Sequence, residues 1–133
     1  YNVFPSFSVD LDKNGRPDGI ILPKRTQTIT LKNGQKALQC KSKGVIFKIK
    51  NLGGLEKGEN KLSLYFKAEN GAKISFYFAF DNNVKARVVF TGNGEWQNSS
   101  QTIKVPKEAS CANVTVFNVV GKTVILGQVS LSK

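Results

Sequence analysis

Residues 61–68 read Lys-Leu-Ser-Leu-Tyr-Phe-Lys-Ala, and residues 73–81 read Lys-Ile-Ser-Phe-Tyr-Phe-Ala-Phe-Asp. Every second residue is apolar. Leu62, Leu64 and Phe66 fall on one side of the first segment, with Ser63, Tyr65 and Lys67 on the other. In the second, Ile74, Phe76, Phe78 and Phe80 oppose Ser75, Tyr77 and Ala79. A period of two marks half-buried β-strand, because successive side chains leave a strand on opposite faces. The same alternation runs through residues 28–31, 36–40, 44–50, 84–91, 97–105, 112–119 and 123–131. Turn-forming residues separate these runs at Asn33-Gly34, Asn82-Asn83, Gly92-Asn93-Gly94 and Gly121. No useful window carries the 3.6-residue period of a helix, and only 53–59 could hold a single helical turn. About nine short antiparallel strands predict an all-β sandwich. Glu69-Asn70-Gly71 is expected to close 61–68 and 73–81 into a tight hairpin.

The 133 residues suit one domain, with neither a linker nor an internal repeat. The chain begins at Tyr1 and contains no Met, which suggests a processed chain or a piece of a longer one. No run approaches the roughly 20 apolar residues that span a bilayer. The net charge is +11, and residues 24–50 hold eight Lys or Arg and no acid. Alternation of those cations with apolar residues fits the solvated side of strands. An anion-binding face is the alternative reading. With only three Arg and no basic cluster interleaved with aromatics, nucleic acid is not the expected partner.

Several segments together carry a family likeness. Phe4-Pro5-Ser6-Phe7 precedes Asp10-Leu11-Asp12-Lys13-Asn14-Gly15-Arg16-Pro17-Asp18-Gly19 and Ile20. This opening resembles that of jelly-roll carbohydrate-binding modules of the family 4, 9 and 22 type. Those modules begin with an Asn-Pro-Ser-Phe-Glu type segment and a polar loop ending in Pro-Asp-Gly-Trp. Residues 62–68 resemble the family's central strand. Gly94-Glu95-Trp96-Gln97, ending at Val105-Pro106, is similar to its Gly-x-Trp … Val-Pro segment, and residues 124–131 are similar to its closing strand. The resemblance implies a jelly-roll topology and a non-catalytic, secreted or cell-surface domain that binds polysaccharide. It also implies a structural calcium, held by a Glu after the first Phe and an Asp in the last strand. Here those positions are Ser8 and Gln128, which offer no carboxylate, and Ile20 replaces the expected Trp.

Within this frame the candidate sites are few. Asp10, Asp12, Asn14 and Asp18, with the Arg16 carbonyl, repeat the early spacing of an EF-hand loop. Ile21 stands where the bidentate Glu belongs, so an EF-hand is excluded; a looser Ca2+ loop and a pair of Asx turns both remain. Cys40 and Cys111 offer either one long-range disulfide or two free thiols. The predicted ligand face joins Tyr65 and Lys67 to Tyr77 and Asp81 across the expected hairpin, with Lys85 and Arg87 extending it. Its aromatics would stack on sugar rings and its cations would favour acidic polysaccharide. Trp96, the single tryptophan, is expected to pack structurally, as the matching family residue does. No His is present to serve as a base near neutral pH, and no facing carboxylate pair of the kind glycoside hydrolysis uses is marked. The leading expectation is therefore a non-catalytic extracellular binding domain. The alternative is a structural subunit that packs with copies of itself in a filament, a surface layer or a phage-capsid decoration.

Overall fold

A computed structural model describes residues 4–7, 13 and 19–133. Among these residues nine strands follow one another: β1 (Thr26–Thr30), β2 (Lys36–Cys40), β3 (Gly44–Leu52), β4 (Gly58–Ala68), β5 (Lys73–Phe80), β6 (Lys85–Thr91), β7 (Trp96–Val105), β8 (Ala112–Asn118) and β9 (Val124–Ser132). They form two antiparallel sheets, β1-β2-β9-β4-β7 and β3-β8-β5-β6. No helix occurs among the described residues, so none is long and apolar enough to cross a membrane. Residues 53–57 form no helical turn, and 58–59 already belong to β4. The all-β sandwich expected from the alternation is what forms.

The apolar faces meet between the sheets. Phe47, Phe66, Phe76 and Phe78 are fully buried or nearly so, with Leu38, Ile46, Leu62, Leu64, Ile74, Leu126 and Leu131 around them. The rings pack edge to face: Phe76 lies 6.4 Å from Phe47 and 5.7 Å from Phe90, with interplanar angles of 83° and 77°. Such T-shaped contacts suit the ring quadrupoles and add to the burial energy. Phe4 and Phe7 of the opening segment join this cluster, against Phe76 and Phe47 respectively. Ile20 is buried with them.

Side chains close both seams of the sandwich. Thr26 on β1 donates its hydroxyl to the Ile46 carbonyl of β3 at 2.5 Å. On the opposite seam, Gln97 and Gln101 of β7 donate to the Thr91 and Val89 carbonyls of β6 at 3.0 and 3.2 Å. Edge carbonyls that would otherwise invite another strand are thereby occupied.

The hairpin expected between 61–68 and 73–81 does not form. β4 belongs to the five-stranded sheet and β5 to the four-stranded one, so residues 69–72 arch across the sandwich. The arch is pinned from outside: Glu69 N–H donates to the Thr123 carbonyl, Thr123 N–H donates to Glu69 Oε2 at 2.6 Å, and Gly71 N–H donates to the Gly92 carbonyl. A short polar loop ending in Gly serves a hairpin and an arch equally well, because both need one chain reversal. Among the strands of the described residues, only β1–β2 and β5–β6 join sequence neighbours within a sheet.

The disulfide alternative is not realised either. Cys40 is a buried thiol donating to the Ser42 carbonyl at 3.3 Å, and Cys111 is a half-buried thiol 3.8 Å from Asp81 Oδ2. Cys40 ends β2 just before Gly44, which pairs with Asn118 at the far end of β8; Cys111 immediately precedes Ala112 at its start. Six residues of strand, about 20 Å, separate those two ends. A disulfide needs Cα atoms within about 7 Å.

Candidate functional site

β4 runs between β9 and β7, and the outward residues of these three strands fall into rows. Ser132, Lys61 and Thr102 share one row, then Ser130, Ser63 and Ser100, then Gln128, Tyr65 and Asn98, then Ile125, Lys67 and Trp96. On β4 and β9 the face is polar because it alternates against Leu62, Leu64 and Phe66, and against Val129 and Leu131; on β7 residues 97–102 are polar throughout and only Ile103 and Val105 turn apolar side chains inward. The result is a hydroxyl- and amide-rich floor with two aromatic rings at one end.

Those rings form the most defined feature of the face. Tyr65 and Trp96, diagonal neighbours on β4 and β7, stack with centroids 4.8 Å apart and planes 20° from parallel. Both are half-buried. On one side of Tyr65 lies a hollow of about 400 Å³ lined by Lys61, Ser63, Asn98, Ser100, Gln128 and Ser130. Ser63 and Ser100 are linked across it by a 2.9 Å hydroxyl contact. On the other side, a hollow of about 540 Å³ runs from Tyr65 and Trp96 to the β1–β2 turn at Lys32 and Asn33. Lys67 and Ile125 border both this second hollow and a third, of about 420 Å³, that reaches Glu69 and Lys122. The three make one open trough along β4. From Lys61 to Lys67 alone it spans about 20 Å.

Its electrostatics are one-sided. Lys32, Lys61, Lys67 and Lys122 border the trough. Glu69 is the single acid among these lining residues, and its carboxylate accepts the Thr123 N–H. Hydroxyls, carboxamides, ammonium groups and an aromatic stack can bind a polyhydroxylated chain.

The sequence-predicted ligand face is therefore divided. Tyr65 and Lys67 lie in the trough, while Tyr77, Lys85 and Arg87 lie on the outer face of the other sheet. Packed sheets stand about 10 Å apart and their outer side chains point away from each other, so the two groups cannot share a ligand. Tyr77 and Arg87 are directly paired across β5 and β6, with the guanidinium carbon 5.4 Å from the ring centroid. That contact explains them as a cross-strand cation–π pair. Lys85 pairs with Ala79 nearby. Asp81, just past β5, accepts Ser110 N–H at 2.9 Å and holds the loop before β8.

Trp96 departs from expectation in the other direction: it is on the outer face, not in the core. Asn98, Ser100, Gln128 and Ser130 also line the trough, although the sequence patterns above single out none of them as ligand-binding. Gln128-x-Ser130-x-Ser132 carries a signal, being polar at alternate positions, whereas 97–102 is polar at every position and so does not mark Asn98 or Ser100 by alternation. The calcium loop of Asp10, Asp12, Asn14, Arg16 and Asp18 lies outside the described residues, as does Ser8. Gln128, the residue at the implied inter-sheet calcium position, is exposed on the trough floor.

No protein-family model matches this chain, and no curated protein matches it. Solved structures do. A family 61 carbohydrate-binding module in complex with β-1,4-galactotriose superposes with a TM-score of 0.70 at 16% identity, covering 100% of this chain and 99% of that one. The C-terminal family 6 module of LamC, a marine laminarinase from Zobellia galactanivorans, gives 0.66 at 11% identity, covering 83% and 90%. The family 22 and family 10 catalytic modules of the Clostridium thermocellum xylanase 10B, complexed with xylohexaose, give 0.65 at 19% identity; the match covers 100% of this chain and 28% of that one. The fold is the jelly-roll sandwich of carbohydrate-binding modules. At these identities the likeness is one of fold.

Proposed function

We propose that this domain is a non-catalytic, extracellular carbohydrate-binding module that holds an extended polysaccharide along the β4 trough, with a preference for chains bearing acidic groups. The observation that carries the reading is the Tyr65–Trp96 stack beside a floor of Ser, Asn and Gln side chains. Aromatic surface covers the C–H faces of sugar rings, while the amides and hydroxyls of Ser63, Asn98, Ser100 and Gln128 exchange hydrogen bonds with sugar hydroxyls. An open trough flanked by side chains suits an internal stretch of chain better than a single sugar. Lys32, Lys61, Lys67 and Lys122 supply the preference for uronate or sulfated units. The fold supports the same reading, since its structural neighbours are carbohydrate-binding modules.

The test is affinity electrophoresis and calorimetry against polygalacturonate, alginate, β-1,4-galactan and xylan. Binding is expected, strongest for an acidic chain, and lost in Tyr65→Ala/Trp96→Ala. Tyr77→Ala should bind like wild type. If none of the four polymers binds, or the trough pair binds normally, the proposal fails; selective loss in Tyr77→Ala would move the site to the other sheet. Because Trp96 is the only tryptophan, its emission is an independent reporter of occupancy.

A further inference from the structure

β9 passes the aromatic pair with an irregularity. Tyr65 pairs with Gln128, but the next residue, Phe66, pairs with Leu126. Gly127 is thus one residue too many for the ladder, a bulge directly opposite the Tyr65–Phe66 step. Its φ lies outside the left-handed region, so the backbone there does not demand glycine. The surroundings do. A Cβ at 127 would stand 2.8 Å from Tyr65 Cδ2, 3.2 Å from the Tyr65 carbonyl oxygen and 3.4 Å from Trp96 Cζ3. The tyrosine ring therefore occupies the space a side chain would take, lying down over the Gly127 backbone. The same residue's carbonyl accepts Gln35 Nε2 at 2.9 Å, which ties the β1–β2 turn to the bulge.

We infer that Gly127 is a positioning residue for the binding trough: the Cβ it lacks seats Tyr65 against β9 and so brings the ring parallel to Trp96. A methyl group there pushes the tyrosine ring upward into the trough. That separates the stack and makes the trough shallower where a sugar ring would lie. The carbonyl contact needs only a few tenths of an ångström of give, so the ring is the group that must move. Gly127 touches no ligand in this scheme and acts through Tyr65. The inference rests on the proposed trough for its affinity consequence and on ring geometry alone for its spectroscopic one.

The experiment compares wild type, Gly127→Ala, Tyr65→Ala and the double variant. Three readouts are taken: near-ultraviolet circular dichroism, Trp96 emission, and affinity for polygalacturonate. Gly127→Ala is expected to weaken the aromatic dichroism, shift the emission, and lower affinity about three- to tenfold. In the Tyr65→Ala background the same substitution should leave spectrum and affinity unchanged, because the ring it displaces is gone. Equal spectral changes in both backgrounds, or none in the wild-type background, overturn the inference. If Gly127→Ala alone fails to fold, the double variant must fold, since removing the ring relieves the overlap; an unfolded double variant also overturns it. Absence of polygalacturonate binding by wild type bears on the proposed ligand, and the spectral comparison still decides the role of Gly127.

Discussion

Gly92→Ala separates an arch from a hairpin. If residues 69–72 closed a hairpin, Gly92 would lie in an open loop and tolerate alanine. In the sandwich, the β4–β5 and β6–β7 crossings pack against each other, and a Cβ at 92 would fall 2.6 Å from Ala68 Cβ, 2.6 Å from the Glu69 carbonyl oxygen and 2.8 Å from that of Ala68. Carbon pairs rest at about 3.5–4.0 Å, so the corner must open by about 1 Å. Three hydrogen bonds hold it shut: Gly92 N–H to Ala72 O at 2.8 Å, Gly94 N–H to Ala68 O at 2.8 Å and Gly71 N–H to Gly92 O at 3.1 Å. An opening of that size breaks or weakens at least one, at about 0.5–1.5 kcal/mol each, on top of about 1–3 kcal/mol for overpacking. The expected loss is about 2–4 kcal/mol, a large part of the roughly 5–15 kcal/mol that holds a domain folded. Urea unfolding followed through Trp96 emission measures it. With a slope of about 2 kcal/mol per molar urea, the midpoint should fall by about 1–2 M. Gly53→Ala is the control, since a Cβ there would meet only the Asn51 carbonyl at 4.0 Å. A loss below about 0.5 kcal/mol for Gly92→Ala, the level of ordinary surface substitutions, would refute the crossing geometry.

Three further outcomes follow from the same contacts. Phe76→Ala removes a fully buried ring that touches Phe4, Phe47 and Phe90, and should cost about 3–5 kcal/mol in the same urea assay. Lys61→Ala/Lys67→Ala should weaken binding to an acidic polysaccharide at low ionic strength. The difference from wild type should shrink at about 1 M salt, where the screening length is about 3 Å; calorimetry at two salt concentrations checks this. In a thiol-reagent titration of protein kept without reductant, the half-buried Cys111 should react in the native state and the buried Cys40 only after unfolding. Two reactive thiols after denaturation is the expected total, and none would restore the disulfide.

Strand number and the inward set of side chains are legible in the sequence, because the pleat is a local property. Leu62, Leu64 and Phe66 must share a face whatever lies next to them, as must Ile74, Phe76, Phe78 and Phe80. The likeness of Phe4-Pro5-Ser6-Phe7 and the later segments to carbohydrate-binding modules points to the jelly roll, and Phe4 and Phe7 do pack into the core. Half of the trough's principal pair is also visible there, since Tyr65 stands out as an aromatic on a polar face.

Neighbourhood across the sheets is not local, and only the tertiary structure decides it. β4 finds β7 and β9 beside it, some thirty and sixty residues downstream by chain, while the adjacent β5 goes to the opposite sheet. A glycine-ended polar loop encodes a reversal but not whether the returning strand pairs or arches. Its destination is set by which apolar faces bury each other and by close approaches such as that of Gly92 to Ala68. For the same reason Tyr77 and Arg87 fall outside the trough and Trp96 falls within it. Alternation tells each side chain which way to point; packing tells it what it will face.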